Sequence, residues 1–221
     1  MSNLKDNLLK IRKTITLGVE LVAVSKTQPV DAIKSLYDAG QRIFGENRVQ
    51  EIIEKQPQLP FDIEWHFIGH LQSNKVKYIS GFISMIQSVD SLKLLKEINN
   101  EAVKHKRIID CLLEIHIATE ESKYGLNINE CLCLLESEDY KGLQNVNICG
   151  LMGMATFTDD MNLVRNEFKS LKTHFEYLKE KYFKNNPLFT EISMGMSGDY
   201  KIAIEEGSTI VRIGTALFGD K

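Results

Sequence analysis

Residues 20–26, ELVAVSK, form an apolar run that stops abruptly on Ser25 and Lys26. Val22, Ala23 and Val24 are short or β-branched, as in a strand covered on both faces. Seven further runs of this kind follow: RIFGEN (42–47), EWHFIG (64–69), FISMIQSV (82–89), DCLLEIHI (110–117), VNICGLMGM (146–154), LFTEISM (188–194) and TIVRIGTALFG (209–219). Helical patterns separate them, among them PVDAIKSLYDAG (29–40), SLKLLKEINNEAVKHKR (91–107) and DDMNLVRNEFKSLKTHFEYLKEKYF (159–183). Pro29 suits a first helical turn, Gly40 a helix end, and Asp90 or Ser91 an N-cap. Eight strands, each followed by a helix or the end of the chain, predict an α/β fold of the (β/α)₈ TIM-barrel type. An open doubly wound sheet is the alternative. Residues 1–15, MSNLKDNLLKIRKTI, add an amphipathic N-terminal helix. No linker-like stretch or repeat divides the series, so residues 1–221 read as one domain.

Composition narrows the function. A hydrophobic content of 43% across 221 residues suits a globular chain with a sizeable core. The formal net charge is −3, and no Lys/Arg-rich block suggests nucleic acid or a membrane surface. The N-terminus lacks the apolar core of a signal peptide, and no segment approaches membrane-spanning length; a cytoplasmic protein is expected. Cys111, Cys131, Cys133 and Cys149 follow no metal-binding spacing and read as reduced structural thiols. His66 and His70 imitate a helical metal pair, but strand rise would set them about 13 Å apart. No metal is expected.

In such a barrel, chemistry gathers at the C-terminal ends of the strands. Lys26 ends the first strand, Asn47 follows the second, His66 lies in the third, and Met152 is near the end of the sixth. Two Gly-containing stretches stand where barrels commonly hold phosphate. Ser197 and Gly198 precede a short helix whose free N–H groups suit an anion. Gly214 admits close backbone approach, and Thr215 adds an N–H and a hydroxyl. A lysine screened from water near a phosphate points to imine chemistry. The partner is then either a sugar phosphate, as in an aldolase, or pyridoxal 5′-phosphate (PLP) as a cofactor. Arg212, two residues before Gly214, can point across the barrel at a pyridine nitrogen and donate to it without surrendering a proton. Such a ring is a poorer electron sink than one facing an aspartate.

The motifs AVSKTQP, FGENRVQE, WHFIGHLQSNK, YGL, GLMGMAT and EISMGMSGDYKIAIEEGSTIVRIGTALFG together resemble those of the pyridoxal phosphate homeostasis proteins. These are single-domain relatives of the barrel half of alanine racemase, of fold type III among PLP proteins. The resemblance runs from about Glu20 to Gly219 with the motifs in order. It implies that Lys26 carries PLP as a Schiff base, and that Ser197, Gly214 and Thr215 bind the phosphate, with Gly198 in the same cofactor-binding loop. It also implies that Arg212 meets the pyridine nitrogen, while Asn47, His66 and Met152 surround the ring.

Other residues have plainer readings. Trp65 suits core packing, and Glu46 and Arg48 an ion pair at a helix start. Tyr124 is a ring near the mouth that either packs a turn or reaches a ligand. Lys75 and Lys77 suit a solvated helix face.

Two functions follow from the resemblance. One is a monomeric PLP carrier that buffers the cofactor or delivers it to apo PLP-dependent enzymes. The other is an amino-acid racemase. Two-base racemisation needs an acid/base on each face of the substrate α-carbon. Alanine racemases take the second, a tyrosine, from a further β-domain of a partner subunit. These 221 residues leave no room for such a domain or for a substantial lid, so little or no turnover is expected.

Overall fold

The computed structural model describes residues 4–119 and 124–219. Eight parallel strands close into a barrel in chain order. They are β1 (Glu20–Val24), β2 (Ile43–Glu46), β3 (Glu64–Phe67), β4 (Met85–Val89), β5 (Ile109–Glu114), β6 (Val146–Met152), β7 (Glu191–Ser193) and β8 (Ile210–Ile213). Each apolar run supplies one of them. The pairing of β8 back onto β1, from Glu20↔Ile210 to Ala23↔Ile213, excludes the open-sheet alternative.

Side chains alternate between the two faces of each strand. Outward residues such as Ala23, Phe44, Phe67, Ile86 and Val211 join the main core under the helices. Trp65 lies there too, tilted against Phe44 with centroids 6.1 Å apart. Inward residues Val22, Met85, Leu112, Met152 and Ile210 make a smaller core inside the barrel. Two residues beyond Met85, Leu112 and Ile210 the inward side chains turn polar, at Gln87, Glu114 and Arg212, and His66 on β3 and Ser193 on β7 are buried polar residues as well. The barrel is therefore apolar at mid-height and polar beneath its C-terminal mouth.

The helices are α1 (Leu4–Arg12), α2 (Val30–Asp38), α3 (Val49–Lys55), α4 (Leu92–Lys104), α5 (Ile128–Glu136), α6 (Glu138–Lys141), α7 (Met161–Lys181), α8 (Tyr200–Glu205) and α9 (Thr215–Phe218). Pro29 occupies the N-cap of α2, and Gly40 follows that helix at φ +92°, a conformation that favours glycine. Ser91 caps α4 by accepting from the Leu94 N–H. Among the described residues no helix is long and apolar enough to cross a membrane.

Two sequence expectations need correction. Between β3 and β4 the chain forms no α-helix, only the 3₁₀ segment Ser73–Tyr78. There Lys75 and Lys77 lie over the Tyr78 ring. The eighth apolar run also ends as a strand at Ile213. Its neighbours stop at Ser193 and Val24, so further backbone groups have no ladder to join. They coil into α9, where Leu217 and Phe218 donate to the Gly214 carbonyl. Because α9 is so short, α1 fills in beside it: Leu8 and Ile11 are buried, and Asn7 Nδ2 donates to the Leu217 carbonyl at 2.9 Å.

Candidate functional site at the barrel mouth

Lys26 lies just beyond β1 in a turn whose first residue, Ser25, is buried. Lys26 itself is exposed, so the expectation of a lysine screened from water does not hold for the protein alone. Thr27 adopts φ +61°, a left-handed conformation that is unusual for a β-branched residue and costs about 1–3 kcal/mol. The turn is held on both sides of Lys26. The Ser25 N–H donates to the Gly45 carbonyl at 2.9 Å, and Ser25 Oγ to Glu46 Oε1 at 2.6 Å. The Thr27 N–H donates to Glu51 Oε2 at 2.6 Å.

Lys55, at the end of α3, joins these groups. Its ammonium donates to Ser25 O (2.9 Å), Glu46 Oε1 (2.8 Å) and Glu51 Oε2 (2.8 Å). The expected ion pair between Glu46 and Arg48 is therefore replaced by one between Glu46 and Lys55, which the fold brings together under the turn. Burial raises the Glu46 pKa against the opposing pull of Lys55 and Ser25. Burial also acts upward on Glu51, but Lys55 and the Thr27 N–H outweigh it and leave that carboxyl below its usual range.

A polar relay crosses the barrel under the mouth. Arg212 on β8 donates to Ser193 Oγ at 2.6 Å and to the Gly153 carbonyl at 3.0 Å. Ser193 Oγ donates to Gln87 Oε1 at 2.6 Å, and Gln87 Nε2 lies 2.9 Å from His66 Nδ1. A guanidinium only donates, so the order of donation is fixed along the chain. His66 Nδ1 accepts, which leaves its proton on Nε2. Burial lowers the Arg212 pKa to about 10, against Glu114 and Asp199, so the group remains a cation near neutrality. Burial lowers His66 to about 4, so it is neutral there. Burial raises Glu114 to about 7, with Arg212 opposing and Asp90 assisting.

These shifts oppose one another in stability. His66 titrates near 6.5 unfolded and about 4 folded, so the unfolded chain binds the extra proton in that window and stability falls on acidification. Glu114 titrates near 4.5 unfolded and about 7 folded, so the native chain binds the extra proton and stability falls as pH rises. Between pH ~4.5 and ~6.5 the two slopes cancel. Glu114→Gln removes one of them. Relative to wild type, the variant should lose about 1.4 kcal/mol more per pH unit of acidification within this window. Urea unfolding at two pH values measures this, and parallel pH profiles would contradict the assignment.

The loops after β7 and β8 meet at the same mouth. Ser197 Oγ accepts from the Ala216 N–H at 3.3 Å, which places Ser197 beside the start of α9 at Thr215. Gly198 and Thr215 are exposed. A Cβ added at Gly214 would lie 3.4 Å from the Val24 carbonyl, so the β8 loop runs close against the end of β1. The residue before α8 is Asp199, which accepts from the Met196 N–H, and Ser197 is not the cap.

Asn47 follows β2, and its buried Oδ1 has no hydrogen-bond partner among the described residues. Gly69 makes room for it, since a Cβ there would sit 2.6 Å from the Asn47 carbonyl. Met152, the last residue of β6, is wholly buried and pairs in register with Glu114 and Ser193. Tyr124 is exposed and stacks on His70 at 4.2 Å, with His70 Nδ1 3.0 Å from Asp90 Oδ2. His66 and His70 thus have separate partners.

Sequence reasoning missed Gln87, Ser193, Glu114 and the Lys55 clamp. Gln87 and Glu114 had a signal, since each is a polar residue two places beyond an inward apolar one on its own strand; Ser193, two places beyond Glu191, had none. Glu51 and Lys55 carry an i,i+4 helix pairing.

The fold and the mouth define the class: a parallel barrel with a lysine after β1 and converging loops after β7 and β8. The family model described as "Alanine racemase, N-terminal domain" matches residues 1–221. The chain is 41% identical over 204 residues to the pyridoxal phosphate homeostasis protein of Aquifex aeolicus (strain VF5), covering 91% of this chain and 87% of that one. The structure of PipY from Synechococcus elongatus PCC7942 with PLP bound has a TM-score of 0.88 at 36% identity, over 98% of this chain and 100% of that one. Alanine racemase of Clostridium difficile 630 has a TM-score of 0.72 at 16% identity, over 100% of this chain and 56% of that one, a likeness of fold alone. The chain belongs to the pyridoxal phosphate homeostasis protein family.

Proposed function

We propose that this protein binds PLP at the barrel mouth and holds it for intracellular PLP homeostasis, buffering or delivering it with little or no turnover. The observation that carries this is the exposed Lys26 amine on its braced turn, at a mouth where the Ser197 and Thr215 loops converge above the buried Arg212. The donor set fits the group. Bound PLP supplies an aldehyde that condenses with a primary amine and releases water, and a phosphate that recruits N–H and O–H donors. Lys26 contributes the amine. Ser197, Gly198, Gly214 and Thr215 contribute donors to the phosphate, and Arg212 donates to the pyridine nitrogen. Asn47 contributes an amide whose buried oxygen has no partner among the described residues, His66 contributes an Nε2–H, and Met152 forms the floor.

Two points support a carrier over an enzyme. The relatives are named as homeostasis proteins. Arg212 also stays protonated near neutrality, which disfavours protonation of a ring nitrogen beside it. In this reading the chain is a cytoplasmic monomer, residues 1–221 form one PLP-binding domain, and apo PLP-dependent enzymes are the recipients.

Borohydride reduction of the PLP-loaded protein followed by peptide mapping tests the site. The label should map to Lys26, and a label on Lys75 or Lys201 would sink the assignment. Ser197→Ala should weaken PLP retention roughly ten- to a hundredfold, the worth of a charge-assisted hydrogen bond. Pyridoxal without its phosphate should bind far worse than PLP; equal binding would mean that the two loops serve something else.

A further inference from the structure

We infer that Lys55, with Glu46 and Glu51, is a positioning residue for Lys26: a buried clamp that fixes the turn over residues 25–27 and so presents the amine at the mouth already ordered. This rests on the role proposed for Lys26 and identifies what makes that role effective. All three protons of the Lys55 ammonium are placed, on Ser25 O, Glu46 Oε1 and Glu51 Oε2. Both salt bridges are 2.8 Å long, and the lysine side chain is only 10% exposed.

A buried ion pair is a weak source of stability, because desolvation offsets its attraction, and apolar packing would serve as well. Its geometry is what an apolar replacement could not supply. The clamp grips Ser25 through Lys55 and Glu46, and Thr27 through Glu51, and leaves the intervening Lys26 side chain untouched. Thr27 is left-handed, a conformation that a β-branched residue keeps only when its surroundings impose it. An amine ordered before it reacts loses less freedom on forming a bond.

The test compares wild type with Lys55→Met, Glu51→Ala and the conservative Glu51→Gln, which keeps an acceptor for the Thr27 N–H. Hydrogen exchange at the Thr27 amide, in protein without PLP, should quicken at least about tenfold in the first two variants and little in the third, as expected when one local hydrogen bond is lost. Affinities are then measured for PLP and for pyridoxine 5′-phosphate, which has the ring and phosphate but no aldehyde. Lys55→Met and Glu51→Ala should weaken PLP roughly ten- to a hundredfold and change pyridoxine 5′-phosphate less than about twofold. Equal weakening of both ligands would indicate general distortion and overturn the inference, as would unchanged PLP affinity. Should Lys55→Met fail to fold, Glu51→Ala carries the test. If wild type shows no preference for PLP over pyridoxine 5′-phosphate, the role of Lys26 fails instead, and unchanged exchange at Thr27 separately refutes the clamp.

Discussion

Lys26→Ala should abolish covalent uptake of PLP and leave the fold intact. Borohydride labelling should drop from near one per chain to background, at least about a hundredfold, since the mouth then offers only non-covalent contacts. Stability should stay within about 0.5 kcal/mol, as for other exposed positions without structural partners. The Lys26 side chain is exposed, and the bonds that brace its turn come from Ser25, Thr27, Glu46, Glu51 and Lys55. Absorbance after PLP addition, thermal unfolding and mass mapping read the two halves of this expectation separately. Wild-type labelling in the variant would place the reactive amine elsewhere.

Gly150→Ala should have the largest effect on stability. Gly150 on β6 faces Glu191 on β7, and an added Cβ would sit 1.8 Å from the Glu191 carbonyl oxygen and 2.6 Å from its carbon. Both atoms are backbone, so relief requires β6 and β7 to part. Overpacking of this kind exceeds the usual 1–3 kcal/mol, and a loss of about 4 kcal/mol or more is expected. The same register sets Ser193 beside Met152, and Ser193 is the first acceptor of Arg212 in the relay. The damage should therefore reach the mouth. Gly198→Ala is the matched control, because a Cβ there has nothing within 4 Å, and its stability should be unchanged within about 0.5 kcal/mol. Denaturant unfolding of the two variants decides the point; a mild Gly150→Ala would mean that the strands adjust without cost.

The barrel was legible because its strands are short, apolar and covered on both faces, so that each run announces itself without its neighbours. Where apolar character continues past Ile213, periodicity does not separate strand from short helix, and the eighth strand is shorter than its apolar run. The inward rows explain why the mouth was partly readable. Lys26 and Arg212 lie at strand ends, where polar residues stand out against apolar ones. Gln87 and Ser193 join them only through barrel closure, since 106 positions separate these two residues in sequence. The Glu46–Lys55 pair escaped notice for the same reason. The only local signal is an ordinary helix pairing of Glu51 with Lys55, and the burial of Glu46 with Lys55 depends on how α3 lies against the ends of β1 and β2. Exposure of Lys26 was likewise a tertiary fact, set by the turn that lifts it out of the strand row.

The most direct measurement incubates PLP-loaded protein with L-alanine in deuterated water and follows α-proton exchange and chirality. Transfer of PLP to an apo-enzyme is recorded alongside, with free PLP scavenged. A carrier should show no sustained exchange or loss of chirality, and should pass PLP to the apo-enzyme faster than the scavenger-limited release allows. Sustained racemisation at ordinary enzymatic rates of about 1 s⁻¹ or more would contradict it.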